Sequence, residues 1–561
     1  MDIAGIPVGT SDFAEIRQEK FYYIDKTALI EELLKTRGTK ATLITRPRRF
    51  GKTLNMNMLS EFFDIRKDNK HLFEGLYISN NKEICNNWQN QYPVLFLTFK
   101  SVDGLSFDSA IEKLKIVISD MCIRHYYLLD SNKVNEVQKE CFKRLAHKSS
   151  SMGETQNSLI ALVQMLESHY GKPVILLIDE YDVPLAKASE NGYYKEMLDV
   201  IKGIMQVIKD NSLLKIAVIT GCLRIAKESI FTGMNNLVSD TISDTRLNEY
   251  FGFTQKEVTK LLEDTGLSTH SEEIKEWYDG YNFGGFYVYC PWDVMNHVSR
   301  LLLNPEAKPA GYWKNSSGNT IIRSFIDVYS STVKKKFETL MSGGYIIQGI
   351  KEGLTYDYIH SSEENLWSVL YFTGYLTRAK EETAGKNVFA LSVPNAEVME
   401  IFEDAIKEWF SETSNQWDKK ALFDAVWNMD DKCISVEITK LLRKTISYHD
   451  YKEDFYHAFF AGIFAGAGYI VESNKEHGEG RSDIIVQDYT GDRMAVFEVK
   501  YSKSQDGLEN ECLKAIEPID DKMYAKEFEE DYSQVICYGI SFYKKRCMVK
   551  VKDIIKAKDL S

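Results

Sequence analysis

The segment ATLITRPRRFGKTLNMNML, residues 41–59, limits the fold more than any other stretch of the chain. A β-prone run stops at a turn, and Gly51, Lys52 and Thr53 open a helical pattern directly after it. A loop so placed offers backbone N–H groups at a helix N-terminus, a lysine for the outer oxygens of a triphosphate, and a hydroxyl for Mg²⁺. More β-rich runs follow, PVLFLTF from Pro93, VILLID from Val174 and KIAVIT from Lys215, each separated from the next by helical stretches. Strands alternating with helices predict an α/β fold built on the parallel sheet of a P-loop NTPase. The loop departs from GxxxxGK[ST] at one position, where Arg46 replaces the first glycine. Gly51, Lys52 and Thr53 form the predicted ATP-binding core, with Arg46, Arg48, Arg49, Phe50 and Leu54 around it.

Two later strands complete this first site. VILLIDEYD ends in Asp179 and Glu180, and acids at the C-terminal edge of a parallel sheet can meet Mg²⁺ and polarise water. Asp179 is expected to hold the metal together with Thr53, and Glu180 to orient the attacking water as the catalytic group. KIAVITG ends in Thr220, and Arg224 follows, where it could sense a γ-phosphate. A helical i, i+4 pair with Glu228 competes for the same arginine.

Length and charge set the frame for the rest. The 561 residues imply three or four domains. We expect an ATPase domain over 1–245, a helical lid and linker region over 246–430, and a compact mixed domain over 431–561. Thr254 and Glu257 are spaced as a capping box at the start of the first lid helix. Acidic residues outnumber basic ones for a net charge of −13, so any contact with nucleic acid must be a local basic surface. None of the nine cysteines has CxxC spacing and the N-terminus carries no signal-like run, which predicts a reducing cytoplasm. The longest apolar stretch, Ala458 to Val471, is too short to span a bilayer and is expected to be a buried core helix.

The last domain reads as a helix near 451–467, a hairpin-like run over 469–501, a helix near 507–528 and strands from Ser533. Asp483 lies on one strand of the hairpin, and fourteen residues later comes Glu498-Val499-Lys500. Alternation along a strand puts Glu498 and Lys500 on one face, near Asp483 across the hairpin, with Val499 turned to the core. Two carboxylates and a lysine suit hydrolysis of a phosphodiester with Mg²⁺, or with Mn²⁺ in its place. The bland alternative is an exposed cross-strand salt bridge. Glu453, on the preceding helix with His457, is a candidate third metal-side acid, and Asp454 competes with it.

These residues resemble a family of bacterial proteins that join an AAA-ATPase-like domain to a C-terminal PD-(D/E)XK nuclease-superfamily domain. The resemblance runs through YYIDKT at 22–27, RPRRFGKTLNM at 46–56, IDEYDVPL at 178–185, TGCLRIAKESIFTGMNNL at 220–237, WYDGYNFGG at 277–285 and LWSVLYFTGYLT at 366–377, and ends in GRSDIIV and FEVK. It implies that Arg46 belongs to this family's own form of the loop. It also implies Arg224 as a nucleotide-state sensor, as in STAND-type signalling ATPases, Asp483, Glu498 and Lys500 as a nuclease centre, and Glu453 as an auxiliary acid. The family's later nuclease helix carries a glutamine near a Gln-Ile dipeptide, where this chain reads Pro518 and Ile519.

The expected function is therefore an ATPase coupled to metal-dependent cleavage of nucleic acid, with DNA the first expectation and defence against foreign DNA a role the resemblance suggests. The alternative is a nucleotide-switched signalling or binding protein whose nuclease-like domain does not cut. The sequence leaves oligomeric state open: AAA-like domains often assemble as homo-oligomeric rings, and Arg46, Arg48, Arg49 and Arg246 are all only candidates for an arginine finger. No membrane contact is expected.

Overall fold

The computed structural model describes residues 5–35, 40–209, 211–224, 230–231, 236–313, 331–354, 356, 362–380, 387–404, 420–445, 453–465, 469–477, 480–488, 492–521 and 532–556. The chain divides into two compact units, Met1–Ser316 with Ile347–Glu397, and Ser317–Ile346 with Val398–Ser561. The middle region is thus shared between them.

In the first unit, β1 (Ala41–Thr45), β2 (Val94–Thr98), β3 (Val174–Asp179), β4 (Leu214–Gly221) and β5 (Leu237–Asp240) form a parallel sheet in the order β2-β3-β4-β1-β5. All residues of β1 and β3 are buried, as a sheet covered on both faces requires. Alternation divides the apolar side chains between two cores. Leu43, Leu97, Leu176 and Ile219 enter one, and Ile44, Val94, Leu177 and Val218 enter the other. Each such side chain contributes about 1.5–3 kcal/mol when fully buried. The order puts β4 between β1 and β3, so the end of β4 separates the Lys52 loop from the acidic pair.

Helix α1 (Lys52–Phe63) begins at Gly51, whose φ of 78° is left-handed and favours glycine. Helix α2 (Val183–Asn191) follows the acidic pair. The Thr254–Glu257 capping box is present at the start of α3 (Gln255–Thr265). The hairpin β6 (Tyr281–Phe283) and β7 (Phe286–Val288) leads to α4 (Pro291–Leu303). Three short strands, β8 (Ile346–Gly349), β9 (Thr377–Arg378) and β10 (Val388–Ser392), make a small sheet with β10 central.

The second unit holds helices α5 (Asp431–Thr445), α6 (Glu453–Ala465) and α7 (Leu508–Asp521) and a mixed sheet. Its strands are β11 (Ile470–His477), β12 (Gly480–Gln487), β13 (Arg493–Tyr501), β14 (Gln534–Tyr543) and β15 (Arg546–Lys556), in that spatial order. β13 and β14 are parallel, and α7 lies in the connection between them, a βαβ unit. Two expectations change here. The apolar stretch from Ala458 does not continue as one helix to Val471: α6 ends at Ala465 and a strand has begun at Ile470. The run over 469–501 is three strands instead of two, because polar residues in SNKEH pair as β11 with β12. Among the described residues no helix is long and apolar enough to cross a membrane.

Candidate active sites

The first site assembles at the C-terminal ends of β1, β3 and β4. Thr53 Oγ1 donates to Asp179 Oδ2 at 2.8 Å, and Thr220 Oγ1 donates to Asp179 Oδ1. One fully buried carboxylate therefore holds a hydroxyl from the lysine loop and another from β4. The Lys52 ammonium donates to the carbonyls of Arg46 at 3.0 Å and Pro47 at 2.8 Å, so the loop's own backbone holds it. Glu180 faces the same cavity, and its backbone N–H donates to Thr220 Oγ1 at 3.3 Å. Burial raises the Glu180 carboxyl above its usual range, while the Lys52 charge pulls it back. Its φ of 53° is uncommon for a residue with a side chain.

The cavity has a volume of about 430 Å³. Its lining includes Lys52, Thr53, Glu180 and Lys100, with both lysine charges acting on Glu180, and also the apolar Val8, Ile24, Phe253 and Met295. A lining that mixes cationic and apolar side chains suits a ligand with an anionic chain and a flat base.

The other loop residues divide. Arg48 is exposed at the cavity, and Leu54 and Arg49 line it. The Arg49 guanidinium lies 4.1 Å from the ring centroid of Trp292, at the start of α4. The Arg46 side chain is placed differently from those of Arg48 and Arg49. Its side chain is 0% exposed, its guanidinium pairs with Asp240 Oδ1 at 2.6 Å, and it donates to the carbonyls of Thr45 and Asp240. Phe251 and Phe283 flank it. It braces the loop from beneath. The Phe50 ring is likewise buried, packed on Tyr281 and Phe283. Arg246 lies 3.6 Å from Asp240, so it and Arg46 both serve an internal pair. Arg224 lies 3.7 Å from Glu352, and Glu228 falls outside the described residues.

Three contributors went unnoticed in the sequence. Asp182 stands inside the same acidic run, so its charge was a usable signal. Trp292 and the segment around Val8 lie far along the chain and reach the cavity only through folding.

In the second unit, Glu498 and Lys500 sit on β13 as expected, paired in register with Gly539 and Ser541 of β14. Registered residues of a parallel pair share a face. Ser541 Oγ donates to the Leu508 carbonyl at the start of α7, so this face meets α7. Phe497 takes the opposite face, against Phe460 and Phe464 of α6. Glu498 is only 4% exposed, which excludes the solvent-facing salt bridge considered above. The β12–β13 ladder ends with Ile484 paired to Phe497, and Asp483 and Glu498 are the next residues on β12 and β13 beyond that pair. The side chains of Asp483 and Glu453 lie outside the described residues; Glu453 is the first residue of α6, and His457 is buried. Helix α7 runs through Pro518 to Asp521.

Comparison with known proteins agrees with this layout. Residues 7–231 match the family described as a predicted AAA-ATPase, and residues 451–552 match the PD-(D/E)XK nuclease superfamily. A protein of Azotobacter chroococcum mcd 1, described as an uncharacterized protein in the vnfD 5′ region, is 25% identical over 554 residues, covering 96% of each chain.

Proposed function

We propose, for a chain that joins an AAA-ATPase-like domain to a PD-(D/E)XK nuclease-superfamily domain, that ATP bound and hydrolysed at the Lys52 cavity governs metal-dependent cleavage of DNA by the C-terminal domain. The observation that carries the first half is the Asp179 carboxylate holding Thr53 and Thr220 beside Lys52 and Glu180. Hard oxygens of this kind fit Mg²⁺, and Thr53 and Asp179 would hold it. Mg²⁺, when bound, supplies charge neutralisation for phosphate oxygens. Lys52 neutralises the β and γ oxygens, Glu180 orients a water and takes its proton, and Arg224 reads the γ-phosphate.

In the nuclease-like domain Asp483 and Glu498 would hold Mg²⁺ or Mn²⁺, with Glu453 auxiliary, and Lys500 stabilises negative charge gathering on the scissile phosphate. The burial of Glu498 supports this, because a carboxylate placed against α7 suits a hard cation better than bulk solvent. A cytoplasmic protein fits the nine cysteines, none of which is in a disulfide.

The test is cleavage of linear, circular and single-stranded DNA with Mg²⁺ or Mn²⁺, with and without ATP. Cleavage is expected to vanish in Lys500→Ala and to lose its ATP dependence in Lys52→Ala. Pro518, standing where the nuclease resemblance would have a glutamine, favours a second reading in which the domain binds nucleic acid without cutting. That reading predicts DNA affinity that survives Lys500→Ala and no cleavage under any condition. Defence against foreign DNA predicts toxicity on expression that depends on Lys500.

A further inference from the structure

Asp182 is the third acid of IDEYD, and no step above uses it. Its side chain is almost wholly buried, so its charge needs donors. The Cys222 amide donates to its two oxygens at 3.1 and 3.0 Å, the Leu223 amide to Oδ2 at 2.9 Å, and the Tyr356 hydroxyl to Oδ2 at 3.0 Å. Tyr181 holds the same turn by donating from its hydroxyl to the Leu223 carbonyl at 2.7 Å. The fit leaves no room for a side chain at Gly221, where a Cβ would lie 2.6 Å from the Tyr181 ring and 2.7 Å from Asp182 Oδ1.

The turn so held is the one that meets Lys52 and Asp179. Thr220 precedes it and bonds Asp179; within it, Cys222 Sγ lies 3.7 Å from Lys52 Nζ; Arg224 follows. Tyr356 comes from the Ile347–Glu397 part of the same unit. Ser189 Oγ of α2 donates to its carbonyl at 3.2 Å, and Glu352 lies 3.7 Å from Arg224. Glu352 thus reaches Arg224, just past the end of β4, and Tyr356 reaches Asp182, which holds the turn there.

We propose that Asp182 is a positioning residue that fixes the Cys222–Leu223 turn for ATP hydrolysis, and that Tyr356 ties its own position to that turn. This rests on the reading of the Lys52 cavity as an ATPase site. A change that pulls Tyr356 from Asp182 loosens two amides and shifts Thr220 and Arg224 relative to Lys52. Misplacement of this kind acts on turnover more than on binding.

The experiment compares the whole chain with Tyr356→Phe, which loses one hydroxyl, and Asp182→Asn, which keeps the shape. ATP turnover gives kcat and KM, and hydrogen exchange without ATP reads the Cys222 and Leu223 amides. Both variants are expected to exchange faster at those amides, and kcat to fall on the order of 10- to 100-fold in Asp182→Asn with KM nearly unchanged. Tyr356→Phe should fall less, in the same direction. Unchanged kcat, or a rise in KM alone, overturns the proposal. If the wild-type chain turns over no ATP, it is the ATPase reading that fails; unchanged exchange in Tyr356→Phe overturns the tether whether or not ATP is hydrolysed.

Discussion

Glu180 combines two features that a residue chosen for stability alone would lack. Its backbone is left-handed, at a cost of about 1–3 kcal/mol, and its carboxyl is buried where ionisation is disfavoured. Both are consistent with a group kept for chemistry. Glu180→Gln is expected to keep ATP binding, read by equilibrium titration, while turnover falls about 10²- to 10⁴-fold. The sign of the pH effect follows from the raised carboxyl. The base works only when ionised, so wild-type kcat rises with pH through a limb lying above the ordinary carboxylate range, and residual Glu180→Gln activity lacks that limb. Arg46 makes the opposite case. Removing one partner of a buried pair leaves the other charge poorly compensated, here with only the longer Arg246 contact, so Arg46→Ala should lower stability by about 3 kcal/mol, seen as a fall in melting temperature without nucleotide. The contrast marks how far residues can be read in a sequence. Lys52, Thr53, Asp179 and Glu180 declare themselves because chemistry restricts residue type at fixed spacing. Arg46 did not, because its partner Asp240 lies 194 positions away and only β5 beside β1 brings them together.

Elements were legible where one period dominated. β1, β3 and β4 are short apolar runs bounded by turns, and the Thr254–Glu257 cap marks its helix directly. What the pattern lacked was spatial order. Nothing in a list of strands says that β4 lies between β1 and β3, which is what brings Thr220 to Asp179. The polar β11 carried no alternation that would separate it from a loop. Packing of α7 on the second sheet was also hidden, and it yields a prediction. A Cβ on Gly539 would lie 2.4 Å from the Cys512 carbonyl and 2.6 Å from an Ile516 side-chain carbon, so α7 meets β14 closely enough to need glycine there. Gly539→Ala should cost about 1–3 kcal/mol through overpacking. Gly539 is the register partner of Glu498, so DNA cleavage should fall before ATP turnover does, measured on one preparation at rising temperature.

For the whole molecule the question is whether nucleotide and nucleic acid act on each other. Each compact unit carries its own candidate site, and Lys52 and Lys500 belong to different units. A control site and a cleaving site must then be linked by a free energy that runs equally in both directions. Lys500→Ala allows the link to be measured without loss of substrate, because DNA stays intact while ATP binds. If ATP changes DNA affinity by some factor, DNA must change ATP affinity by the same factor, about 5- to 150-fold for ordinary coupling. The measurement is two titrations on Lys500→Ala combined with Glu180→Gln, which binds ATP with little turnover, DNA with and without ATP and ATP with and without DNA, at one salt concentration, since phosphate contacts make DNA affinity steeply salt-dependent. Adding Lys52→Ala should abolish the first effect along with ATP binding. Equal ATP affinity with and without DNA would make the units independent, and an ATP-dependent cleavage rate would then have to arise from catalysis instead of binding, because reciprocity constrains affinities and not rates.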